Sequence, residues 1–520
     1  MCTQMPRKNK HASLPKTSVQ LRTKDLCEEL LRMCSSSIDP ADGLTYFKNM
    51  QVITTELSIL QKDICMIRNL PKSDFERQKF LLKLKSRLGT CFLKSIDFRQ
   101  TDDSGFGVFS AEDIQAQECV LRISMEHILS AQSVIAYFPP TLRADPLLRG
   151  MENIALSLSL LHELSLGEKS MWCDYLCKQF TCLLFKLHCC LDSLPTSYTT
   201  VMYLSAEHME LLSGFPIAGM ALNAFRSICR QYAYFFLLLE KTKTLLGNMK
   251  FFCFSDYCWA VSVVMSRNNR VPDPDCPEKE ILCLIPLWDM INHRAGRVTT
   301  DVKIETKTIE FSAMEACPLS SEIFMDYGCR TSAEFLLYCG FVPPFNPHHR
   351  TPLILSLSKF DKLLELRTGL LCRLGYTSEI SPLVSSSDVT IPSPELACFA
   401  RVFVMNEDDL RQYAEEVEND FISASKRLLS TEFEHTRVDT GALTFLETRI
   451  DLLIKKYTSN LAKTTGKVVT TGSGDGNANF LRSQCRLLCE QDIALLRAYR
   501  DALLATRKRQ HHRSAVSTAD

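Results

Sequence analysis

The chain has 520 residues, of which 46% are hydrophobic and 23% are charged, so its composition is that of a folded protein rather than a disordered one. Its 60 lysine and arginine residues are balanced by 60 aspartate and glutamate residues. This balance excludes the general attraction to nucleic acid or anionic membranes that a strongly basic protein has. The length predicts more than one domain.

The 23 cysteines are scattered along the sequence. The polar, basic first 22 residues lack the apolar core of a secretory signal, so we expect reduced thiols in a cytoplasmic protein, with access to the nucleus left open. No CxxC pair occurs, and zinc sites typically contain such pairs, so we expect no metal. No run of 18 or more apolar residues occurs, so we expect no membrane-spanning helix.

The spacing of apolar residues predicts the first elements of the chain. Residues 1–22 are expected to form a flexible basic tail, and residues 23–90 are expected to form helices. Short runs bounded by turn residues then predict strands over Lys94–Phe98, Gly107–Phe109 and Cys119–Ile123. Helical spacing returns at Asn153 and continues through an insertion that spans about residues 151–250.

Strand and helix patterns alternate in the second half of the chain. The predicted elements are a helix over Tyr257–Met265, a hairpin over Thr299–Glu315, a strand over Glu322–Tyr327 and a helix over Thr331–Cys339. Residues 346–508 are expected to be helical apart from polar loops at 376–394 and 464–479, and residues 509–520 are expected to be disordered. The sequence therefore predicts an α+β protein, in which a strand-rich domain over residues 91–345 is split by helices and followed by a helical domain.

Three segments carry residues that are suited to chemistry. Ser104–Val108 contains a Gly-x-Gly sequence whose glycines let the backbone approach a ligand, although such a sequence is more often only a hairpin turn. Ser266–Pro272 is followed by Ile285–His293, an apolar run that ends in an Asn-His pair; a lone histidine there is more often a capping or core residue. Glu322–Gly328 places a tyrosine at the end of an apolar strand, which by itself is also typical of a surface tyrosine.

In this order, the three segments resemble the SET-domain protein methyltransferases. The layout is similar to that of the rubisco large-subunit lysine methyltransferase group, since a helical insertion splits the strands and a helical domain follows. The narrower resemblance is to the actin-histidine N-methyltransferase branch, and it covers residues 85–345 well. The segments that carry it are Gln231–Phe235, Trp259–Ser262, Arg267–Pro272, Ile285–His293 and Arg330–Gly340.

The resemblance implies a SET-type β-fold, a C-terminal substrate-docking domain and S-adenosylmethionine as cofactor. The cofactor-binding residues that it implies are Ser104, Gly105, Phe106, Arg267, Asp289, Met290, Ile291, Asn292, His293 and Cys339. Arg267 would pair with the methionine carboxylate of the cofactor. Tyr327 would be the catalytic tyrosine, and the residues that would face the substrate peptide are Asn269, Trp288, Met325 and Arg330.

The chemistry of the acceptor favours histidine over lysine in this site. A lysine has a pKa of about 10.4 and must first lose a proton, whereas a histidine has a pKa of about 6.5 and is mostly neutral at pH 7. A histidine needs control of its tautomer, which the carboxamide of Asn269 can provide by binding one ring nitrogen. We therefore also assign Asn269 a catalytic role, and we expect a monomer that methylates a histidine of actin.

Two alternatives remain open. One is a lysine methyltransferase of the same architecture, which analysis of the methylated product would reveal. The other is a non-catalytic adaptor that uses its C-terminal helices to bind a protein, which need not bind the cofactor. The sequence also departs from the branch at three places: Ser104 replaces an acidic residue, Asp326 replaces an aromatic residue, and Lys178–Asp192 is additional.

Overall fold

The computed structural model describes residues 16–39, 42–69, 78, 81–82, 85–86, 89–101, 105–170, 194–385, 392–465 and 476–517. The first helices are α1 (Lys16–Ser35) and α2 (Gly43–Gln61). The prediction of a flexible tail up to residue 22 is therefore wrong from Lys16 onward. Val19, Leu26 and Leu30 recur at helical spacing and are buried, which stabilises the first turns as helix.

The β-structure is built from short strands. In chain order these are β1 (Ile96–Thr101), β2 (Gly105–Ser110), β3 (Cys119–Ser124), β4 (Leu129–Ser130), β5 (Asn268–Asp273), β6 (Cys276–Leu284), β7 (Asn292–His293), β8 (Thr300–Lys303), β9 (Thr308–Ser312) and β10 (Glu322–Met325). They form one four-stranded sheet in the order β1-β2-β10-β7 and two three-stranded sheets in the orders β3-β9-β8 and β4-β6-β5. Residues from all three sheets pack into one hydrophobic core.

The four-stranded sheet joins segments that are distant in the sequence. β1 and β2 form an antiparallel hairpin, and β10 pairs antiparallel with β2 through Glu322–Phe109 and Ile323–Val108. β7 pairs parallel with β10 through Phe324–Asn292 and Met325–His293. The Asn-His pair and the strand that precedes Tyr327 therefore lie side by side.

The predictions for the individual strands are confirmed with small shifts of their ends. β1 begins two residues later than the predicted strand, and the predicted hairpin over 299–315 is formed by β8 and β9. The strand predicted over Glu322–Tyr327 ends at Met325, because the chain turns at Asp326, whose carboxylate accepts the backbone N–H of Gly328 at 2.8 Å and that of Gly296 at 2.9 Å.

Helices connect the early strands to the later ones. They are α3 (Ala131–Ile135), α4 (Pro140–Arg143), α5 (Pro146–Gly150), α6 (Glu152–Leu166), α7 (Ala206–Leu212), α8 (Pro216–Thr242) and α9 (Phe254–Arg267). α6 and α9 pack against each other. Trp259 of α9 is fully buried, and its indole N–H donates to the carbonyl of Pro195 at 2.8 Å. The predicted additional segment, Lys178–Asp192, lies outside the described residues.

The C-terminal region contains helices and two small antiparallel ribbons. The short helix α10 (Ser332–Glu334) continues as a π-helix over Phe335–Cys339. The ribbons pair β11 (Thr351–Pro352) with β14 (Leu383–Val384) and β12 (Leu355–Ser356) with β13 (Glu379–Ile380). The longer helices are α11 (Leu364–Arg373), α12 (Pro394–Val404), α13 (Glu407–Asn419), α14 (Phe421–Leu429), α15 (Arg437–Thr465) and α16 (Gly476–Ser517).

Two predictions for this region need correction. Residues 346–508 are not helical throughout, because the ribbons occupy the beginning of the region and part of the predicted 376–394 loop. The disordered tail predicted from residue 509 is wrong up to Ser517, because α16 continues through it. The apolar residues in the first half of α16, including Leu481 and Leu488, are buried, so packing anchors this helix on its N-terminal side.

The described chain divides into two compact units whose boundaries differ from the predicted ones. The first unit contains residues up to Ala206, Ala221–Gly328 and Tyr338–Gly340. The second contains Glu207–Met220, Cys329–Leu337 and the residues from Phe341 onward. A segment inside the predicted insertion thus belongs to the second unit, which sequence patterns could not indicate because its partners lie far along the chain. Among the residues described, no helix combines the length and the hydrophobicity needed to cross a bilayer.

Candidate active site

A buried ion pair lies where α9 ends. Nη1 of Arg267, the last residue of α9, donates to the backbone carbonyl of Asp289 at 2.6 Å and lies 3.3 Å from the carboxylate Oδ2 of Asp289. The side chains of Arg267 and Asp289 are only 15% and 4% exposed. Asp289 lies in the short 3₁₀ turn Trp288–Met290, which follows β6. The pair therefore fixes the end of α9 to the segment that leads into β7.

Burial disfavours the charged form of both partners, and the pair offsets that cost. Burial lowers the pKa of Arg267, but Asp289, Tyr198 and Tyr327 raise it by more than burial lowers it. The guanidinium therefore remains protonated. Burial raises the pKa of Asp289, and Arg267 opposes that rise. Each partner is thus charged in a buried place because the other is present.

The side chain of Tyr327 turns back towards β7. Its hydroxyl donates to the carbonyl of Ile291 at 2.8 Å, and the phenol helps to raise the pKa of Arg267. The phenol therefore belongs to the same group of side chains as the buried ion pair. The phenol oxygen donates its proton to Ile291, and an oxygen of this kind can also accept hydrogen bonds.

His293 holds the backbone of Tyr327. Its Nδ1 lies 3.2 Å from the backbone nitrogen of Tyr327, and the two rings are 5.0 Å apart. A backbone N–H can only donate, so Nδ1 is the unprotonated nitrogen of a neutral imidazole and the proton is on Nε2. The histidine therefore acts as a fixed acceptor for the tyrosine backbone.

The carboxamide of Asn292 is held by two acceptors. Its Nδ2 donates to Oε1 of Glu322 at 2.8 Å and approaches the carbonyl of Phe106 at 3.4 Å. Phe106 is buried, and its carbonyl brings β2 into contact with the Asn-His pair. Gly105, the residue before it, is exposed at the end of the β1–β2 hairpin, and Ser104 lies outside the described residues.

The proposed substrate-facing residues of the first unit differ in exposure. Asn269 is half-buried on β5, and its carboxamide has no hydrogen-bond partner among the described residues. Trp288 and Met325 are instead part of the hydrophobic core, with 8% and 2% exposure, and the indole N–H of Trp288 donates to Thr300 at 2.8 Å. Such burial favours a packing role for these two side chains over the predicted contact with a substrate.

The remaining predicted residues are distributed between the two units. Met290 is buried with its sulfur 3.8 Å from Nη1 of Arg267. Cys339 is half-buried at the end of the π-helix, and the next residue, Gly340, lies so close to Thr199 that a Cβ atom would be 2.3 Å from its hydroxyl. Arg330 belongs to the second unit, where Asn346 donates to its carbonyl at 2.9 Å.

Two residues of the site are absent from the prediction. Tyr198 is buried, and its phenol lies next to the guanidinium of Arg267, whose pKa it raises. No motif in the sequence marks Tyr198, so only the fold reveals it. The sequence predicts Glu322 only as part of a strand. Alternation along that strand places its side chain on the same face as that of Phe324, and Phe324 pairs with Asn292.

The polar atoms of this group suit a zwitterionic amino-acid ligand. Nε of Arg267 is buried and has no hydrogen-bond acceptor among the described residues, so a donor next to a fixed positive charge is left for a carboxylate. Oδ1 of Asn292 accepts no hydrogen bond from the part of the chain that the structure describes, which leaves an acceptor for an amino group. The group fits the amino-acid end of S-adenosylmethionine on these two counts.

Comparison with known proteins gives the family. A protein-family model described as "Rubisco LSMT substrate-binding" matches residues 358–468. The actin-histidine N-methyltransferase of Danio rerio is 31% identical over 441 residues, which are 83% of this chain and 70% of the relative. The chain belongs to the actin-histidine N-methyltransferase family. The family members of Mus musculus and Homo sapiens are each 29% identical over 443 residues, 84% of this chain and 70% of the relative.

Solved structures identify the fold of this family member. The SET domain of LSMT bound to lysine and AdoHcy superposes with a TM-score of 0.57 at 16% identity, covering 83% of this chain and 93% of that one. Rubisco LSMT bound to AdoMet superposes with a TM-score of 0.56 at 16% identity, covering 84% and 95%. The predicted fold class, an α+β SET-type fold with a helical C-terminal region, is confirmed.

Proposed function

We propose that this protein is an S-adenosylmethionine-dependent methyltransferase that methylates a histidine side chain of actin. The observation that carries the proposal is the group formed by Arg267, Asp289, Asn292 and Tyr327, which fits the amino-acid end of the cofactor and includes the tyrosine hydroxyl. Membership of the actin-histidine N-methyltransferase family supports the substrate. We also propose that the protein acts as a monomer in the cytoplasm, where thiols are kept reduced.

In this proposal the cofactor is held by residues of β2, α9 and the segment that leads into β7. The residues that would hold it are Phe106, Arg267, Asp289, Met290, Ile291, Asn292 and His293. When bound, S-adenosylmethionine supplies an already activated methyl group. The chain must then provide alignment rather than a metal or a covalent nucleophile, and alignment can lower a barrier by roughly 7–11 kcal/mol.

Tyr327 contributes an oxygen whose position is fixed twice. Its hydroxyl donates to Ile291, and its backbone N–H donates to His293, so neither the ring nor the backbone is free to turn. The phenol oxygen therefore presents its lone pairs in one direction, where it can orient a polarised methyl group through weak C–H···O contacts.

Asn269 supports a histidine acceptor. Its carboxamide, which makes no hydrogen bond within the described part of the chain, is half-buried on β5, the strand that follows directly after Arg267. A carboxamide that binds one imidazole nitrogen fixes the tautomer and leaves the other nitrogen with its lone pair. A free lysine is neutral at pH 7 in only about one part in 2,500, which corresponds to roughly 4–5 kcal/mol that a lysine site must provide by other means.

The experiment incubates the purified full chain with S-adenosylmethionine and recombinant actin and maps the product by mass spectrometry. Methyl-histidine is the expected product, and methyl-lysine would establish the lysine-specific alternative. Asn269→Ala should lower methyl transfer to histidine while cofactor affinity, measured by calorimetry, stays within about twofold. A chain that binds no cofactor would overturn the proposed enzyme and support the adaptor.

Tyr327→Phe and Tyr46→Phe form a matched pair of variants for the same assay. Both tyrosines are half-buried and donate to a backbone carbonyl, Tyr327 to Ile291 at 2.8 Å and Tyr46 to Met33 at 2.7 Å. Only Tyr327→Phe should abolish most of the transfer, since Tyr46 lies on α2, outside the candidate site. Equal activity of the two variants would contradict the assignment of Tyr327.

A further inference from the structure

Glu322 is a half-buried carboxylate beside the site that the proposed chemistry does not use. It is the first residue of β10, and it lies two residues before Phe324, which pairs with Asn292 of β7. Residues two apart on a strand point to the same face, so the side chains of Glu322 and Asn292 meet diagonally across the parallel pair. The resulting hydrogen bond, from Nδ2 of Asn292 to Oε1 of Glu322, is 2.8 Å long.

The two neighbours of the Asn292 amide determine its orientation. A carboxylate and a backbone carbonyl are acceptors only, so the amide must present its NH₂ group to Glu322 and Phe106. The amide oxygen, Oδ1, must then point the opposite way. It accepts no hydrogen bond from the described residues, and an acceptor of this kind matches an amino group of a ligand.

Gly107 makes room for this arrangement. A Cβ atom at this position would lie 2.3 Å from Oε1 of Glu322 and 2.9 Å from Nδ2 of Asn292. Both distances are shorter than the contacts that real Cβ atoms make, and both atoms belong to the hydrogen bond itself. The second glycine of the Gly-x-Gly sequence therefore leaves space for the Glu322–Asn292 contact, in addition to any approach of the backbone to a ligand.

We propose that Glu322 is a positioning residue for the cofactor: it holds the NH₂ group of Asn292 so that Oδ1 faces an amino group of bound S-adenosylmethionine. This inference rests on the proposed function, because it requires that cofactor. Glu322 acts through Asn292, and Gly107 is required for the same contact. Removal of the acceptor at position 322 lets the amide rotate and weakens cofactor binding without removing any group that touches the acceptor histidine.

The test measures cofactor affinity directly, by calorimetric titration of the full chain with S-adenosylmethionine. Glu322→Met removes the acceptor at similar size, and we expect the Kd to rise roughly tenfold, the value of one hydrogen bond to a charged group. Glu322→Gln keeps a carbonyl oxygen that can face Asn292, so its Kd should rise by only about twofold to threefold. The kcat at saturating cofactor should fall less than the Kd rises in both variants.

A double-mutant cycle separates positioning from a general effect on the fold. Once Asn292→Ala has removed the amide, adding Glu322→Met should change the Kd by less than about twofold, because no amide is left to orient. Glu310→Met is the matched control. Glu310 lies on β9 and accepts from Arg122 at 2.6 Å, and its loss should leave the cofactor Kd unchanged.

The outcomes distinguish this inference from the proposed function. The positioning role is overturned, while the proposed function stands, if the wild type binds the cofactor and Glu322→Met binds it equally well. The same conclusion follows if the effect of Glu322→Met on the Kd adds fully to that of Asn292→Ala. If the wild type binds no cofactor, both fail. If Glu322→Met does not fold, Gly107→Ala tests the same contact, and an unchanged Kd in Gly107→Ala would overturn the inference.

Discussion

Removal of the guanidinium of Arg267 should destabilise the protein as well as weaken cofactor binding. Arg267→Met leaves the carboxylate of Asp289, which is 4% exposed, without its positive partner. Breaking a buried ion pair by removing one partner costs about 3–5 kcal/mol. We expect a loss of this size in the free energy of unfolding, measured by urea denaturation of the full chain without cofactor.

The pH dependence of the variant tests the cause of that loss. Without Arg267, burial opposed only by a backbone hydrogen bond raises the pKa of Asp289 above the value of about 3.9 in the unfolded chain. The folded variant then takes up a proton more readily than the unfolded chain, so its stability should rise as the pH falls from 7 towards 4. The wild type should show a smaller rise over the same range, because Arg267 opposes the shift.

Two further variants complete this experiment. Arg267→Met combined with Asp289→Asn should recover most of the lost stability, because no buried charge remains. Arg122→Met is the control, since Arg122 is about half exposed in its pair with Glu310 and should cost about 1 kcal/mol or less. If Arg267→Met were as stable as the Arg122→Met control, or if its stability fell on acidification, the buried pair would not have the energetic role assigned to it.

Three other substitutions have definite expected outcomes. Tyr327→Phe should lower kcat roughly a hundredfold, because the methyl group is no longer aligned with its acceptor. The cofactor Kd should stay within about twofold of the wild-type value. A raised Kd with unchanged kcat would contradict this. Arg401→Met should lower the free energy of unfolding by about 3–5 kcal/mol, because Arg401 is 3% exposed and the buried carboxylate of Asp439 would lose its positive partner. A loss below about 1 kcal/mol in urea denaturation would contradict this. Burial raises the pKa of Asp256 to about 6, so the ionisation of Asp256 lowers the free energy of unfolding by up to about 3 kcal/mol as the pH rises from 4 to 6. Asp256→Asn should flatten that part of the curve of stability against pH. An unchanged curve would refute the assignment.

The fold could be predicted from sequence wherever a local pattern decided the structure. The hairpin over 299–315 and the strand that begins at Glu322 follow from alternation, and the helix over 257–265 follows from its apolar spacing. That helix ends at Arg267, which forms an ion pair with Asp289 in a later segment. The periodicity of the helix does not indicate a partner so far along the chain. The same limit explains why the class and order of elements were predictable but the unit boundaries were not.

The candidate site was predicted from motifs and from a family resemblance, neither of which shows contacts with residues elsewhere in the chain. The family resemblance implied that Trp288 faces the substrate, whereas in the structure Thr300 accepts its indole N–H and the ring is buried. Tyr198 has no motif of its own and becomes part of the site only because it packs beside Arg267. Glu322 required knowledge of the parallel pairing of β7 with β10.

The strand order β1-β2-β10-β7 also has a consequence for synthesis. The hairpin of β1 and β2 leaves the ribosome early, but its neighbour β10 follows only after the helices from α3 to α9 and seven further strands have been made. Until then the inner edge of the hairpin has no native strand beside it, and exposed edges of this kind promote aggregation. A nascent chain that stalls before Glu322 should therefore depend on chaperones more than one that stalls just after Met325.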